Sequence, residues 1–368
     1  MATLVKPQRG LDNVKLYVPG KPIEEVQREY GLQDVIKLAS NENPIGPSPK
    51  ALAAVQAALT RLNFYPDGQS YYLRQALAQK LGVSMEQVVV GNGADGIIMQ
   101  TCMAYLDEED EVIVSRSSFP IYDTFTLVMR ARLIKTPLEE YGLNLDAMAN
   151  AITDKTKLIF VCNPNNPTGT MVTAEEVREF MGLLPPDVLV VFDEAYAEYA
   201  TSKDYPETLP YLREGRNVAI LRTFSKIYGL AGLRIGYGVL PASLADMANR
   251  VRQPFNTNSL AQLAALAALG DEEHVARSRR VNEEGKSFLY REFDALGIDY
   301  LPTEANFIYF KAPGGDGKGI FDALLRKGII IRHMQGPNLR VTIGTPEENR
   351  RFIEAFRGVM TLQTARKP

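Results

Sequence analysis

Between the proline-rich segment Asn43-Pro44-Ile45-Gly46-Pro47-Ser48-Pro49 and about Leu240, short apolar runs alternate with amphipathic stretches. The runs Val88–Val90, Val112–Val114, Leu158–Val161, Val188–Phe192 and Val218–Leu221 are rich in β-branched residues and show no apolar–polar alternation. Strands covered on both faces have this character, as in a mostly parallel sheet flanked by helices. Thr173–Leu183 instead repeats with a helical period, and Thr173 and Glu176 stand at capping-box spacing. Ser48 fits an N-cap with Pro49 at the first helical position, which predicts a helix over Lys50–Leu59. Beyond Leu240 helical patterns dominate, at Leu260–Leu269 and Glu273–Leu296. Strand signals follow at Asn306–Phe310, Ile329–Arg332 and Leu339–Ile343, then a helix from near Glu347. Gly314-Gly315-Asp316-Gly317 predicts a loop tip, and the segment up to about Gly31 an irregular one. The pattern predicts an α/β chain in three parts: an arm over 1–34, a large domain over 35–249 and a smaller α+β domain over 250–368.

Composition narrows the chemistry. With only two cysteines the chain has no disulfide framework, and zinc-type Cys/His spacings are absent. The isolated His274 and His333 cannot build a multi-histidine metal centre, and a hydrolytic triad would have to use one of them. Against 44 acidic residues stand 41 basic ones, with no basic block, which argues against a nucleic-acid partner. The opening residues lack the apolar core of a secretory signal. Leu260–Leu269, the most apolar helical stretch, is about half of what a bilayer requires. Cytoplasm is therefore the default location, with both cysteines reduced. Catalysis, if present, falls to lysine, tyrosine, carboxylates or a borrowed cofactor.

In open α/β sheets ligands bind beyond the carboxyl ends of the strands. Here those ends lead into Gly91-Asn92-Gly93-Ala94-Asp95-Gly96, Asn163-Pro164-Asn165-Asn166-Pro167-Thr168-Gly169, Asp193-Glu194-Ala195-Tyr196 and Thr223-Phe224-Ser225-Lys226. The first matches the dinucleotide fingerprint G-x-G-x-x-G, and Arg116 could suit a 2′-phosphate, so an NADP-dependent oxidoreductase is one reading. Both that reading and its rivals need a helix N-terminus that binds phosphate. Lys226 favours a rival, because a lysine desolvated after a buried strand becomes an amine nucleophile toward carbonyls. Arg234 supplies a permanent charge for phosphate, and Asp193 could hold a protonated pyridine nitrogen. Together these groups suit pyridoxal 5′-phosphate. Taken singly, each has a plainer reading: a solvated strand-end carboxylate, a rim aromatic, a turn asparagine or a surface arginine.

The asparagine–proline segment, Asp193-Glu194-Ala195-Tyr196 and Ser225-Lys226 with Gly229-Leu230-Ala231-Gly232-Leu233-Arg234-Ile235-Gly236 resemble the class I/II aminotransferases of fold type I, in family order. Tyr17-Val18-Pro19-Gly20-Lys21-Pro22, Leu38–Pro44, Tyr65-Pro66-Asp67-Gly68 and Leu339–Thr345 look more narrowly like the histidinol-phosphate aminotransferase branch. The resemblance implies the fold-type-I pyridoxal-phosphate transferase architecture and a cofactor held covalently by Lys226, which also shuttles the proton. It further implies Asp193 on the ring nitrogen, Asn166 and Tyr196 on the ring hydroxyl, and Phe119 on the ring face. The cofactor phosphate then meets Ala94, Asp95, Ser225, Arg234 and, from a second subunit, Tyr65, in a homodimer with shared active sites. Arg340 binds the glutamate carboxylate or the substrate phosphate, with Arg332, Tyr17 and Asn166 as further substrate contacts. The implied reaction is transamination of L-histidinol phosphate with 2-oxoglutarate. An aromatic amino-acid aminotransferase and a threonine-phosphate decarboxylase share the scaffold. Two departures stand out: Gly96 where relatives carry an acid, and Phe119 where many carry tyrosine. His274 and His333 read as structural or solvated, with His333 near enough in sequence to Arg332 to approach the substrate. Cys102 and Cys162 read as packing residues.

Overall fold

The five predicted apolar runs do pair into one sheet, joined by two strands that the pattern did not mark. In the computed structural model, which describes residues 5–364, the strands are β1 (Val88–Gly91), β2 (Glu111–Ser115), β3 (Arg132–Thr136), β4 (Thr156–Cys162), β5 (Leu189–Asp193), β6 (Val218–Thr223) and β7 (Gly236–Val239). Residues 1–4 of the expected arm and 365–368 of the expected C-terminal unit lie outside the described residues. The spatial order is β1-β7-β6-β5-β4-β2-β3. Only β7 runs antiparallel to its neighbours, so β1, β6, β5, β4 and β2 all present their carboxyl ends at one edge.

Alternate residues of these strands feed two separate cores. Val112, Val114, Leu158, Phe160, Val191 and Leu221 pack with Ile97, Ile98 and Cys102 of the helix Gly93–Tyr105. Ile113, Ile159, Val161, Val190, Phe192 and Ile220 pack with Val177, Phe180 and Met181 of the helix Ala174–Leu183. Both faces are thus dry, which is why the strands are apolar throughout. The helix starts follow the cap logic. Ser48 Oγ accepts from the Ala51 N–H ahead of Pro49–Ala58, and Thr173 and Glu176 close a reciprocal capping box.

Two strands escaped prediction for different reasons. β3 is a partly exposed edge strand with a mixed sequence, Arg132-Leu-Ile-Lys-Thr136. β7 contains two glycines, normally a weak strand signal. Here close approach demands them: a Cβ on Gly236 would lie 2.6 Å from the Ala94 nitrogen, and one on Gly238 3.1 Å from Ile97 Cγ2. The expectation of an irregular N-terminal segment also needs correcting. Ile23–Tyr30 is helical, follows Pro22 and ends on a left-handed Gly31. The glycine run at 314–317 is a 3-10 turn, Pro313–Gly315, leading into the helix Gly317–Arg326, which Asp316 caps.

Another core lies toward the C-terminus. Phe307–Lys311, Asn338–Thr342 and Arg332–His333 form a small antiparallel sheet in which Arg332 stands directly opposite Arg340. Leu289, Phe293, Phe310, Val341, Phe352 and Phe356 fill this core together with Ile36 and Leu38. Ile36–Lys37 pairs in parallel with Ile329–Ile330, so the segment leading to Ser40 and Asn41 is anchored to this core. The helix Ser259–Leu269 buries Ala261, Ala264, Ala265, Ala268 and Leu269 in a further core with Leu73, Leu77, Val90, Phe224 and Tyr237. Among the described residues, no helix is long and apolar enough to cross a membrane.

Candidate active site

A cleft of about 610 Å³ opens at the carboxyl edge of the large sheet. It gathers Ala94, Asp95, Phe119, Asn166, Asp193, Tyr196, Ser225, Lys226 and Arg234 from the strand ends, with Tyr17, Arg332 and Arg340 from the other side. Tyr65 is the exception. It is 82% exposed, stacks on Phe255 at 4.6 Å between ring centroids, and does not line the cleft of its own chain. His333 also stays out of the lining: its Nε2 lies 3.1 Å from the Gly336 carbonyl.

At one end of the cleft lies a cationic cradle. The helix Gly93–Tyr105 starts there with no side-chain cap on its first N–H groups. Arg234 donates from Nη1 to Ser225 Oγ at 3.2 Å and from Nη2 to Asp95 Oδ2 at 3.3 Å. Gly93 has φ of 72°, and a Cβ there would come within 2.6 Å of Arg234 Nη2. Any side chain would therefore fill the space between the helix start and the guanidinium. A phosphate dianion suits this set of donors: free backbone N–H groups, a hydroxyl and a guanidinium.

Lys226 stands beyond the cradle, three residues past β6. Its Nζ donates to the Ser40 carbonyl at 3.1 Å and lies 5.6 Å from the centre of the Tyr196 ring. The side chain keeps some solvent contact through the cleft, yet the packing around it desolvates the ammonium. That burial, helped by the positive Arg340, brings its pKa down to about 8. At pH 7 the free-amine fraction is then roughly 300-fold larger than for an ordinary lysine.

Asp193 ends β5 in the dry floor of the site, only 3% exposed. Burial pushes its carboxyl up to about 6, against two hydrogen bonds that favour the charged form. Tyr122 donates its phenol proton to Oδ2 at 2.5 Å, and the Ala195 N–H donates to Oδ1 at 3.2 Å. The next residue, Glu194, is fixed by a forked ion pair from Arg222 at 2.7 and 2.9 Å and by the Thr208 hydroxyl. This pairing pins the turn that carries Asp193 and Tyr196.

The far wall holds two arginines. Arg340 is 7% exposed, donates to the Ala39 carbonyl at 2.9 Å and to Asn166 Oδ1, and lies over the Phe307 ring. Its Nε is buried and finds no hydrogen-bond partner among the described residues. Desolvation lowers its pKa to about 10, and Arg332 adds to the effect. Arg332 donates to the Val18 carbonyl at 2.5 Å, which ties the segment bearing Tyr17 to the rim. Like charges directly opposite on adjacent strands destabilise a sheet. The two arginines together give this wall a concentrated positive charge.

Three participants carry no role in the sequence reading. Asn41 donates to the Tyr196 hydroxyl at 2.9 Å from a left-handed backbone conformation, φ 56°. Ser40 supplies the carbonyl that holds Lys226. Tyr122 bonds Asp193. The left-handed Asn41 has a faint signal, since asparagine tolerates that conformation better than most residues. Cys162 lines the cleft and Cys102 is buried in the helix after β1, both with thiols pushed up to about 12 by burial, which fits packing rather than nucleophilic roles.

Comparison with known proteins agrees with this geometry. The family model for aminotransferase class I and II matches residues 33–356. The histidinol-phosphate aminotransferase of Moorella thermoacetica is 53% identical over 98% of this chain and 94% of that protein. Histidinol-phosphate aminotransferase 2 of Carboxydothermus hydrogenoformans is 45% identical over 96% and 99%. Among solved structures, histidinol-phosphate aminotransferase from Sinorhizobium meliloti in complex with pyridoxal-5′-phosphate superposes with a TM-score of 0.90. It is 27% identical and covers 98% of this chain and 99% of its own. These matches overturn the NADP oxidoreductase reading: the glycine fingerprint is only the helix start of a phosphate cradle. The chain belongs to the class I and II aminotransferase family.

Proposed function

We propose that the chain catalyses pyridoxal-phosphate-dependent transamination between L-histidinol phosphate and 2-oxoglutarate, supplying histidine biosynthesis with its amino group from glutamate. The observation that carries the substrate is the Arg332–Arg340 pair, side by side across from Lys226, in a chain so similar to enzymes of that name. A phosphate monoester dianion needs more neutralisation than a carboxylate, so a second guanidinium beside the first favours it. The same pair serves glutamate and histidinol phosphate in turn.

Pyridoxal phosphate, when bound, supplies an electrophilic carbonyl and an electron-withdrawing ring. Arg234, Ser225 and the N–H groups of Ala94 and Asp95 would hold its phosphate. Asp193 would serve the ring nitrogen, Asn166 and Tyr196 the ring hydroxyl, and Phe119 the ring face. Lys226 would be the attachment point and, once free, the base for the substrate Cα proton. Arg340 and Arg332 hold the substrate anion, with Tyr17 closing that end and Asn166 linking it to the cofactor side. Arg340→Ala should raise KM for both substrates by about 10–100-fold, the loss of a buried charge-assisted contact, with a smaller change in kcat. Steady-state kinetics with each substrate checks this.

A lysine of pKa about 8 captures the cofactor only in its free-amine form. The rate at which apo-protein gains visible absorbance on adding pyridoxal phosphate should therefore climb with pH and level off above about 9, with its midpoint near 8. A midpoint above 10 would contradict the desolvation argument.

We also propose a cytoplasmic homodimer. Leu52, Leu59, Leu62, Phe64, Tyr65, Tyr72 and Leu263 are exposed on or beside the packed helices Pro49–Ala58 and Ser259–Leu269. A second copy covering this apolar face would bring Tyr65 to its partner's cradle. Tyr65→Phe should then weaken cofactor retention several-fold, read as the dissociation constant of pyridoxal phosphate.

The substrate reading is tested by comparing kcat/KM for histidinol phosphate and phenylalanine. Preference for phenylalanine, or carbon dioxide release from threonine phosphate, overturns it.

A further inference from the structure

Asp193 is held from below by a tyrosine that no part of the reaction scheme uses. Tyr122 is fully buried in the first turn of the helix Pro120–Val128, with its ring stacked on Phe160 of β4 at 4.5 Å and 11°. It meets Phe119, the ring-stacking residue, edge-on at 5.7 Å. The Thr126 hydroxyl donates to its carbonyl at 2.7 Å, fixing the turn. With its ring clamped between elements, the phenol donates to Asp193 Oδ2, 2.5 Å away, with the weakly accepting Cys162 thiol as its other polar neighbour.

We propose that Tyr122 is the positioning residue of Asp193, and that its hydrogen bond keeps the proton shared between this carboxylate and the cofactor on the ring nitrogen. The inference rests on the assignment of Asp193 to that nitrogen. One proton shared between a carboxylate and a pyridine has two forms, an ion pair or a neutral acid beside a neutral ring. Low polarity favours the neutral form, and a donor to the carboxylate favours the ion pair. Around Asp193 the ionisable neighbours are Glu194 in the same turn, Tyr196 just beyond it, Asp95 from the helix Gly93–Tyr105, Cys162 on β4 and Tyr122 itself. The two carboxylates and the burial all push toward the neutral acid. Only Tyr122 and the Ala195 N–H oppose them directly, and Tyr122 makes the shorter bond. Tyr122 itself cannot give the proton away, because burial and Asp193 hold its phenol well above its ordinary range.

The test is Tyr122→Phe in the holoenzyme, which keeps the ring packing and removes the hydroxyl. The readout is the pH midpoint of the visible band of the lysine-bound cofactor. A positive ring nitrogen lowers that midpoint by repulsion, so losing the ring charge raises it. Tyr122→Phe should raise the midpoint by about one unit, the scale of a hydrogen bond to a charged group, and lower kcat about tenfold. Asp193→Asn should raise it at least as far, and adding Tyr122→Phe to Asp193→Asn should move it no further. If Asp193→Asn leaves the midpoint in place, the assignment of Asp193 fails and this inference with it. If Asp193→Asn moves it and Tyr122→Phe does not, only the role of Tyr122 is overturned. A purely structural tyrosine predicts that outcome, with a lower melting temperature alone. Should Tyr122→Phe fail to fold, Tyr122→His, which retains a donor, is titrated instead. A midpoint close to that of the native enzyme supports the donor role, and one as high as in Asp193→Asn overturns it.

Discussion

Lys226→Ala is expected to lower kcat by about 10⁴-fold or more, because one side chain performs two tasks. On the proposed assignment its amine would attach the cofactor, and the same amine, once free, would remove the substrate Cα proton. No neighbour substitutes for it. Tyr196 is buried with its hydroxyl engaged by Asn41 and its pKa raised, and Cys162 is held as a neutral thiol by burial. The two histidines lie outside the cleft lining. The cradle formed by Ser225, Arg234 and the start of the helix Gly93–Tyr105 does not depend on the lysine. The mutant should therefore still bind pyridoxal phosphate, while losing the visible band that borohydride bleaches in the native protein. Spectra before and after borohydride, with equilibrium dialysis of the cofactor, separate lost chemistry from lost binding. Turnover near the native rate would remove Lys226 from its assigned place.

How much of this site the sequence displays depends on distance along the chain. Lys226, Asp193 and Asn166 each follow an apolar run, and the rule that ligands gather at strand ends brings them together without any knowledge of packing. Arg234 is legible for a similar reason, since it lies eight residues beyond Lys226 in a glycine-rich turn. Tyr122 is different. Its bond to Asp193 spans 71 residues and exists only because the helix Pro120–Val128 docks on Phe160 of β4. In sequence it looks like any apolar-face aromatic. Asn41, bonded to Tyr196 across 155 residues, depends likewise on the pairing of Ile36–Lys37 with Ile329–Ile330. The juxtaposition of Arg332 and Arg340 is a matter of strand register, which periodicity does not specify for a two-residue strand. Tyr65 shows a different limit, because its assigned place belongs to a second copy of the chain.

The site also shows where the local rules were broken. Lys226 is a partly desolvated ammonium, Asp193 a buried carboxylate, and Arg340 and Arg332 are like charges on adjacent strands. Each costs stability, and on the proposed assignment a bound phosphorylated ligand would offset that cost. Departures from good folding practice therefore mark the site more sharply than any single motif.

Asp193→Ala is expected to lower kcat by about 10²–10³-fold, the usual consequence of removing one preorganised electrostatic partner from a dry site. The loss falls on kcat, because an unprotonated ring withdraws electrons poorly while Arg234, Arg340 and Arg332 still bind phosphate and substrate. Stability should change as well, and in a way that identifies the cause. Removing the carboxylate relieves a buried charge, but it leaves the Tyr122 hydroxyl with only the weakly accepting Cys162 thiol in place of its charged partner. An unsatisfied buried hydroxyl costs about 1–3 kcal/mol. Asp193→Asn retains an acceptor oxygen for Tyr122 and should escape that penalty, yet lose nearly as much in kcat, because the amide carries no charge. Turnover and thermal melting of both mutants thus divide the two duties of one side chain. If Asp193→Asn kept most of its activity, charge at the ring nitrogen would not be what Asp193 provides.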